Sequence, residues 1–139
     1  MNRFLPPLCC AAIMFCCLLV KAEVPMEEKK ALETIHSSTS GTQWTHGWDL
    51  DGIVSNWYGV EVKDGHVVSI TLVNNGLKGA LPDVFDDLPY LEALNLAFNE
   101  INGELPLSLF SLPSVRTIKL EMNAIQGGLP NSFIEHSSL

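Results

Sequence analysis

From Val67 to the end of the chain, the sequence repeats every 24 residues without an insertion. Aliphatic residues recur in two phases two positions apart, and a Gly and a Leu-Pro pair recur later in each unit. The two aliphatic phases contain Ile70, Leu94 and Ile118, and then Leu72, Leu96 and Leu120. A repeat of this length predicts a stacked array in which each unit buries its apolar side chains against its neighbours. We expect units at 67–90, 91–114 and 115–138, with Leu139 opening a fourth.

The first part of each unit is predicted to be a short strand. Ile70 and Leu72 alternate with their neighbours at period two, which is the pattern of a strand with one buried face. An asparagine follows each strand, where its side chain can bond turn backbone that stacking removes from water. These structural asparagines are Asn75, Asn99 and Asn123, and we expect them to form a ladder along the stack. Gly79 relieves a bend, and Leu81-Pro82 fixes an extended segment on the far side of the coil.

The N-terminal residues 1–22 are predicted to be a cleaved signal peptide. Arg3 precedes an apolar run of 13 residues from Leu8 to Val20, which is shorter than the roughly 20 residues of a membrane-spanning helix. Val20-Lys21-Ala22 provides the small-residue spacing of a cleavage site. A retained signal anchor is the main alternative. The leader predicts a secreted or cell-surface protein with no membrane insertion after cleavage.

Removal of this leader would change the chemistry of the chain. All four cysteines lie within it, at Cys9, Cys10, Cys16 and Cys17. The mature chain would therefore have no disulfide, thiolate metal site or cysteine nucleophile. It would keep six basic residues against 16 acidic ones, a net charge of −10. Nucleic acids and anionic lipids require a basic surface, so neither is expected as a partner.

The run from Leu91 to Pro106 resembles the plant-type leucine-rich repeat, LxxLxLxxNxLxGxLP. The resemblance extends over 67–139. It implies an α/β solenoid, a right-handed curved coil with a parallel sheet on its concave side.

Residues 23–66 resemble the N-terminal cap of the same family. The matching positions are Ala31-Leu32, Ile35, Gly41-Thr42, Trp44, Trp48 and Trp57-Tyr58-Gly59-Val60. From the residues themselves, Pro25 followed by Glu27 and Glu28 favours a helix start. Three tryptophans can then cover the apolar end of the first coil. The family cysteines around the WxGV motif are replaced by Ser55 and Val62.

The sequence contains no pattern that indicates catalysis, a metal or a cofactor. Its histidines, His36, His46, His66 and His136, are scattered and lack ligand spacing. Asp49-x-Asp51-Gly52 is similar to the start of a calcium loop, but Ile53 stands where a third oxygen ligand should fall. We interpret it as a turn.

The candidate partner-binding residues flank the inward strand positions, on the predicted concave face. They are Ser69, Thr71, Val73, Asn74, Ala93, Asn95, Ala97, Phe98, Thr117, Lys119, Glu121 and Met122. Most are small or polar, and Phe98 and Met122 project as adjacent apolar side chains. Two interpretations of Phe98 stay open, a contact point for a partner or a ring folded over the edge of the coil.

The sequence therefore predicts a non-catalytic module that binds a protein or peptide through its concave face. One alternative is the N-terminal part of a larger receptor-like or surface structural protein, and another is an extracellular enzyme inhibitor. Ile118, Leu120 and Ile125 would lie at the C-terminal end of the stack. Further chain or a partner is expected to cover them.

Overall fold

The computed structural model describes residues 23–128. The predicted leader at 1–22, the last part of the third unit with Leu129-Pro130 and His136, and the predicted fourth unit at Leu139 lie outside the described residues. Within the described part, no helix is both long enough and apolar enough to cross a membrane.

Within the described residues, one α-helix precedes the repeats. Helix α1 spans Met26–Ser38 and carries Glu27 and Glu28 in its first turn, where acidic side chains favour the positive end of the helix dipole. Leu32 and Ile35 face the core and are fully buried. Single turns of 3₁₀ helix occur at Gly41–Gln43, Val54–Asn56, Phe85–Asp87 and Leu107–Ser111.

In the part of the chain that the structure describes, seven strands form two sheets. The strands are β1 (Val60–Lys63), β2 (His66–Thr71), β3 (Lys78–Ala80), β4 (Ala93–Asn95), β5 (Glu100–Glu104), β6 (Thr117–Lys119) and β7 (Ala124–Gln126). The front sheet has the order β1-β2-β4-β6, and the back sheet has the order β3-β5-β7. Strand β1 pairs antiparallel with β2, and every other pairing is parallel.

The register of the front sheet confirms the repeat. Ile70 pairs with Leu94, and Leu94 pairs with Ile118, so equivalent residues of three units stand side by side. Ile70 and Leu94 are buried, whereas Ile118 is only partly buried against the same core. The predicted parallel-stranded stack is therefore present in the described chain. The back sheet is an addition to the prediction, which placed a bend at Gly79 and an extended segment at Leu81-Pro82.

The three tryptophans lie in one buried cluster between α1 and the first coil. Trp48 stacks on Trp57 with ring centroids 4.8 Å apart, and Trp44 meets Trp48 edge to face at 4.9 Å. Each indole N–H donates to a backbone carbonyl, those of Thr39, Tyr58 and Asp49 for Trp44, Trp48 and Trp57 respectively. Burial with satisfied donors makes these rings part of the core.

Candidate binding surface

The outward side of the front sheet carries mostly small and polar side chains. Because Ile70, Leu94 and Ile118 point into the core, their strand neighbours point away from it. These neighbours are Ser69, Thr71, Ala93, Asn95, Thr117 and Lys119. Thr71, Thr117 and Lys119 are exposed, and the other three are half-buried. We call this surface the front face.

At the carboxyl ends of the strands, the chain turns and carries the remaining predicted contact residues. Asn74 and Glu121 are exposed, and Val73 is half-buried. Ala97 is only 2% exposed, so its side chain offers almost no surface to a partner. In contrast, Phe98 is 53% exposed and Met122 is 68% exposed.

The backbone at this turn is left-handed in all three coils. The φ angles are +49° at Asn74, +58° at Phe98 and +58° at Met122. Asparagine tolerates this conformation, whereas a bulky side chain is an outlier there. Hydrogen bonds between coils hold it, since the Asn74 N–H donates to the Ala97 carbonyl at 3.1 Å and the Phe98 N–H donates to the Glu121 carbonyl at 3.0 Å. The fold thus fixes two large apolar side chains on strained backbone facing solvent.

The asparagine that follows each of these residues ties neighbouring coils together. Asn99 Oδ1 accepts the N–H groups of Asn75 and Leu77 at 2.9 and 3.1 Å. Its Nδ2 donates to the carbonyls of Leu72 and Leu96 at 2.7 and 2.9 Å. Asn123 repeats the pattern, accepting from the Ile101 N–H at 2.9 Å and donating to the Leu96 carbonyl at 2.9 Å.

The first coil uses a different partner for its asparagine. Asn75 Oδ1 accepts the His46 N–H at 2.8 Å, and Asn75 Nδ2 donates to the His46 carbonyl at 3.1 Å. The His46 ring stacks on Tyr58 with centroids 4.4 Å apart, and Tyr58 is 44% exposed. Tyr58 precedes Gly59, whose carbonyl accepts the Thr71 N–H at the end of β2. Tyr58 therefore adds a third exposed apolar side chain at the carboxyl ends of the strands.

At the opposite, amino ends of the strands, the structure forms a cleft that sequence reasoning missed. His66 stacks on Tyr90 with ring centroids 3.9 Å apart and an angle of 27° between the planes. The cleft has a volume of about 180 Å³ and is lined by Lys63, Asp64, His66, Val68, Tyr90, Glu92 and Ser114. We call it the Tyr90 cleft. The sequence did contain one indication of this cleft. His66, Tyr90 and Ser114 are each 24 residues apart, which places them at equivalent positions of neighbouring units.

The segment from Asp49 to Gly52, which is similar in sequence to the start of a calcium loop, forms a turn. The Gly52 N–H donates to the Asp49 carbonyl at 2.9 Å and the Asp51 N–H to Asp49 Oδ1 at 3.2 Å, which describes a turn. No group of three or more His, Cys, Asp or Glu residues suited to a metal occurs in residues 23–128. The histidines of the described residues lie apart. His46 and His66 are at opposite ends of the front sheet, and His36 is in the tryptophan cluster.

Among residues 23–128, two groups outside the front face have a shifted pKa. Burial lowers the pKa of His36, and a hydrogen bond with the Gly41 backbone partly opposes that shift. On the far side of the coils, hydrogen bonds from the Ser108 hydroxyl and then from the Ser108 N–H lower the pKa of the Asp83 carboxyl. Neither group contributes to the front face.

Comparison with known proteins places the repeat region in a family. The model of the family described as "Leucine rich repeat" matches residues 65–136. A search of curated proteins gives no match.

Solved structures share the fold. The BIR2 ectodomain from Arabidopsis thaliana superposes with a TM-score of 0.68 at 24% identity, covering 78% of this chain and 60% of that one. The ectodomain of the receptor kinase SOBIR1 from the same plant gives 0.67 at 19% identity, covering 86% and 66%. The BIR3–SERK2 complex, also from Arabidopsis thaliana, gives 0.62 at 23% identity, covering 76% and 61%. The chain thus spans less than two thirds of the length of each of these structures.

Proposed function

Because the chain belongs to the leucine-rich-repeat family, we propose that it is a non-catalytic module that binds a protein or peptide through its front face. It would act outside the cell or at the cell surface. Similar folds occur in the ectodomains of BIR2 and SOBIR1 and in a complex of two proteins, BIR3 with SERK2. This precedent supports the class of partner, although fold alone does not identify which partner.

The observation that carries the proposal is the conformation of Phe98 and Met122. Both side chains are more than half exposed, and both stand on backbone with a φ of +58°. Local preference favours a residue such as Asn74 there, and burial cannot offset the strain because the side chains face solvent. A role in contact with a partner accounts for apolar side chains held in this way, since buried aromatic and methionine side chains supply much of the energy of protein interfaces.

The test replaces Phe98 and Met122 by asparagine, the residue that the first coil has at the equivalent position, Asn74. Peptides are first selected from a random display library against the folded chain, and their dissociation constants are measured on the wild type and on the Phe98→Asn/Met122→Asn variant. We expect binding to weaken by about tenfold or more, the scale of an interface hot spot. The free energy of unfolding should stay equal or rise by about 0.5–1 kcal/mol, because asparagine tolerates the left-handed backbone.

A matched control is available at Leu107, which is 69% exposed but lies in the 3₁₀ turn Leu107–Ser111, away from the front face. Leu107→Asn removes a comparable exposed apolar side chain and should leave binding unchanged. Selected peptides that bind the double variant with wild-type affinity would rule out this edge of the front face as the contact site.

The remaining parts of the proposal concern organisation. We propose residues 1–22 as a cleaved leader, 23–66 as the cap of the first coil, and 67–139 as right-handed repeats of 24 residues. The buried tryptophan cluster and the pairing of β1 with β2 at the edge of the sheet support the cap. That further chain or a partner covers the C-terminal end of the stack stays a prediction, because it concerns residues beyond 128.

A further inference from the structure

The Tyr90 cleft contains a half-exposed aromatic ring that His66 supports by stacking. His66 packs against one face of Tyr90, with the ring centroids 3.9 Å apart. In the next unit the equivalent position holds Ser114, which also lines the cleft but brings no ring. Tyr90 is 50% exposed as a result. A flat π surface is therefore available to a partner at the amino ends of the strands.

A buried carboxylate fixes the support of this ring. Glu28 Oε1 lies 2.6 Å from His66 Nδ1, and Glu28 Oε2 accepts the Val67 N–H at 2.8 Å. The Glu28 side chain is only 3% exposed, so the imidazole is anchored to α1 rather than to solvent. Because His66 is held, the Tyr90 ring that stacks on it is held before any partner arrives, and a preorganised group costs less entropy to bind.

The charges around the ring favour a cation. Glu92 and Asp64 line the cleft with exposed carboxylates, and the whole chain carries a net charge of −8. Across residues 23–128 the one salt-bridge contact is that between Glu28 and His66, so Glu92 and Asp64 are not neutralised by a bound lysine or arginine. Lys63 also lines the cleft, but its ammonium is exposed on a flexible stem and can move away.

We propose that the Tyr90 cleft binds an arginine side chain of a protein or peptide partner. A guanidinium group stacks on an aromatic face and pairs with a carboxylate in the same plane, here Tyr90 and Glu92. The cleft volume of about 180 Å³ suits one side chain, because pockets for small-molecule ligands start at roughly 300 Å³. The inference rests on the proposed function only in assigning the occupant to a protein or peptide.

The probe is N-acetyl-arginine amide, titrated into the ¹⁵N-labelled chain in 150 mM salt and followed by NMR. N-acetyl-citrulline amide, which has the same shape without the charge, is the reference ligand. We expect the arginine probe to bind about threefold or more tightly than the citrulline probe, as a solvent-exposed cation–π contact implies. The shifts should centre on Asp64, His66, Tyr90, Glu92 and Ser114.

The variants copy residues of neighbouring units. Tyr90→Ser introduces the residue found at 114, and Glu92→Val introduces the residue found at 68. Each should weaken the arginine probe about threefold or more and abolish its advantage over citrulline. Asp86→Asn removes an exposed carboxylate that does not line the cleft and should leave the affinity for the arginine probe unchanged. Dispersed amide spectra of the variants verify folding.

Three outcomes overturn the proposal. These are equal binding of the two probes, shifts centred on other acidic residues such as Asp86 and Asp87, and undiminished binding to Tyr90→Ser. None of them affects the test of the proposed function, which measures peptide affinity at Phe98 and Met122. The two ideas can therefore fail separately.

Discussion

At the residue scale, one turn position shows side-chain preference and backbone geometry in conflict. Asn74, Phe98 and Met122 occupy equivalent places and share a φ between +49° and +58°. At Asn74 and Phe98 the conformation is held from outside the residue, because each N–H donates to a carbonyl of the next coil, that of Ala97 and of Glu121 respectively. The stack therefore dictates the backbone, and the side chain at this position can vary with function.

The buried asparagine that follows this turn should contribute strongly to stability. Asn99→Ala would leave the N–H groups of Asn75 and Leu77 and the Leu72 carbonyl without their present partner in a site that is 9% exposed. We expect the free energy of unfolding, measured by urea denaturation, to fall by about 3 kcal/mol. Asn123→Ala should cost less, because Asn123 is half-buried and water can replace its bonds. Equal losses in both variants would contradict this account.

At the element scale, the front strands were predictable from sequence and the back strands were not. Strands β2, β4 and β6 carry the alternation seen at Ile70 and Leu72; β2 and β4 bury one face, and the inward Ile118 of β6 is partly buried. Strand β3 has Gly79 at its one inward position, β5 has only Ile101 buried beside Gly103, and β7 has only the partly buried Ile125, so each offers a weak apolar pattern. They pair because stacking of the coils brings their backbones together, and that effect overrides weak intrinsic strand preference.

Contacts between the N-terminal segment and the repeats also escaped sequence reasoning. Glu28 and His66 are 38 residues apart, and neither lies in a periodic pattern that would have linked them. The left-handed turn could have been suspected from Asn74, but Phe98 and Met122 at the same place hide the signal. The Tyr90 cleft depends on both the anchored His66 and the small Ser114, so only the folded stack reveals it.

The packing of α1 on the tryptophan cluster predicts how stability depends on pH. His36 lies against Trp44 and Trp48, with ring centroids 4.9 and 6.0 Å apart, and burial lowers its pKa below the ordinary value of 6.5. The unfolded chain therefore binds a proton at His36 before the folded chain does as pH falls. This contribution to stability is fully present above pH 6.5 and is lost as pH falls toward the lower pKa of the folded state.

The measurement compares urea unfolding of the wild type and of His36→Gln between pH 7.5 and 5. We expect the wild type to lose more stability over this range than the variant, whatever their absolute difference at pH 7.5. The Glu28–His66 pair is present in both proteins, so the difference between the two curves isolates His36. Parallel curves would show that burial does not perturb the titration of this histidine.

At the scale of the whole molecule, the two proposed contact points lie at opposite ends of the same strand. Glu92 comes immediately before β4, and Phe98 follows three residues after its end. At about 3.3 Å per step in extended chain, the six steps from Glu92 to Phe98 separate the two points by less than about 20 Å, because Phe98 lies in a left-handed turn. A peptide that runs parallel to the strands can contact both points. A peptide that runs across the strands passes from one coil to the next, about 4.8 Å apart, and contacts only one end of the strands.

The orientation of a bound peptide can therefore be tested through its sequence. From a random library selected on the wild type, we expect binders with an arginine and a large apolar residue about five to seven positions apart, since an extended peptide rises as the strands do. Selection on Tyr90→Ser should lose the arginine and keep the apolar residue, and selection on Phe98→Asn/Met122→Asn should do the reverse. Two results would show that a single site recognises both residues and that the peptide does not run along β4. One is that the arginine and the apolar residue are adjacent in the binders, and the other is that selection on either variant loses both residues together.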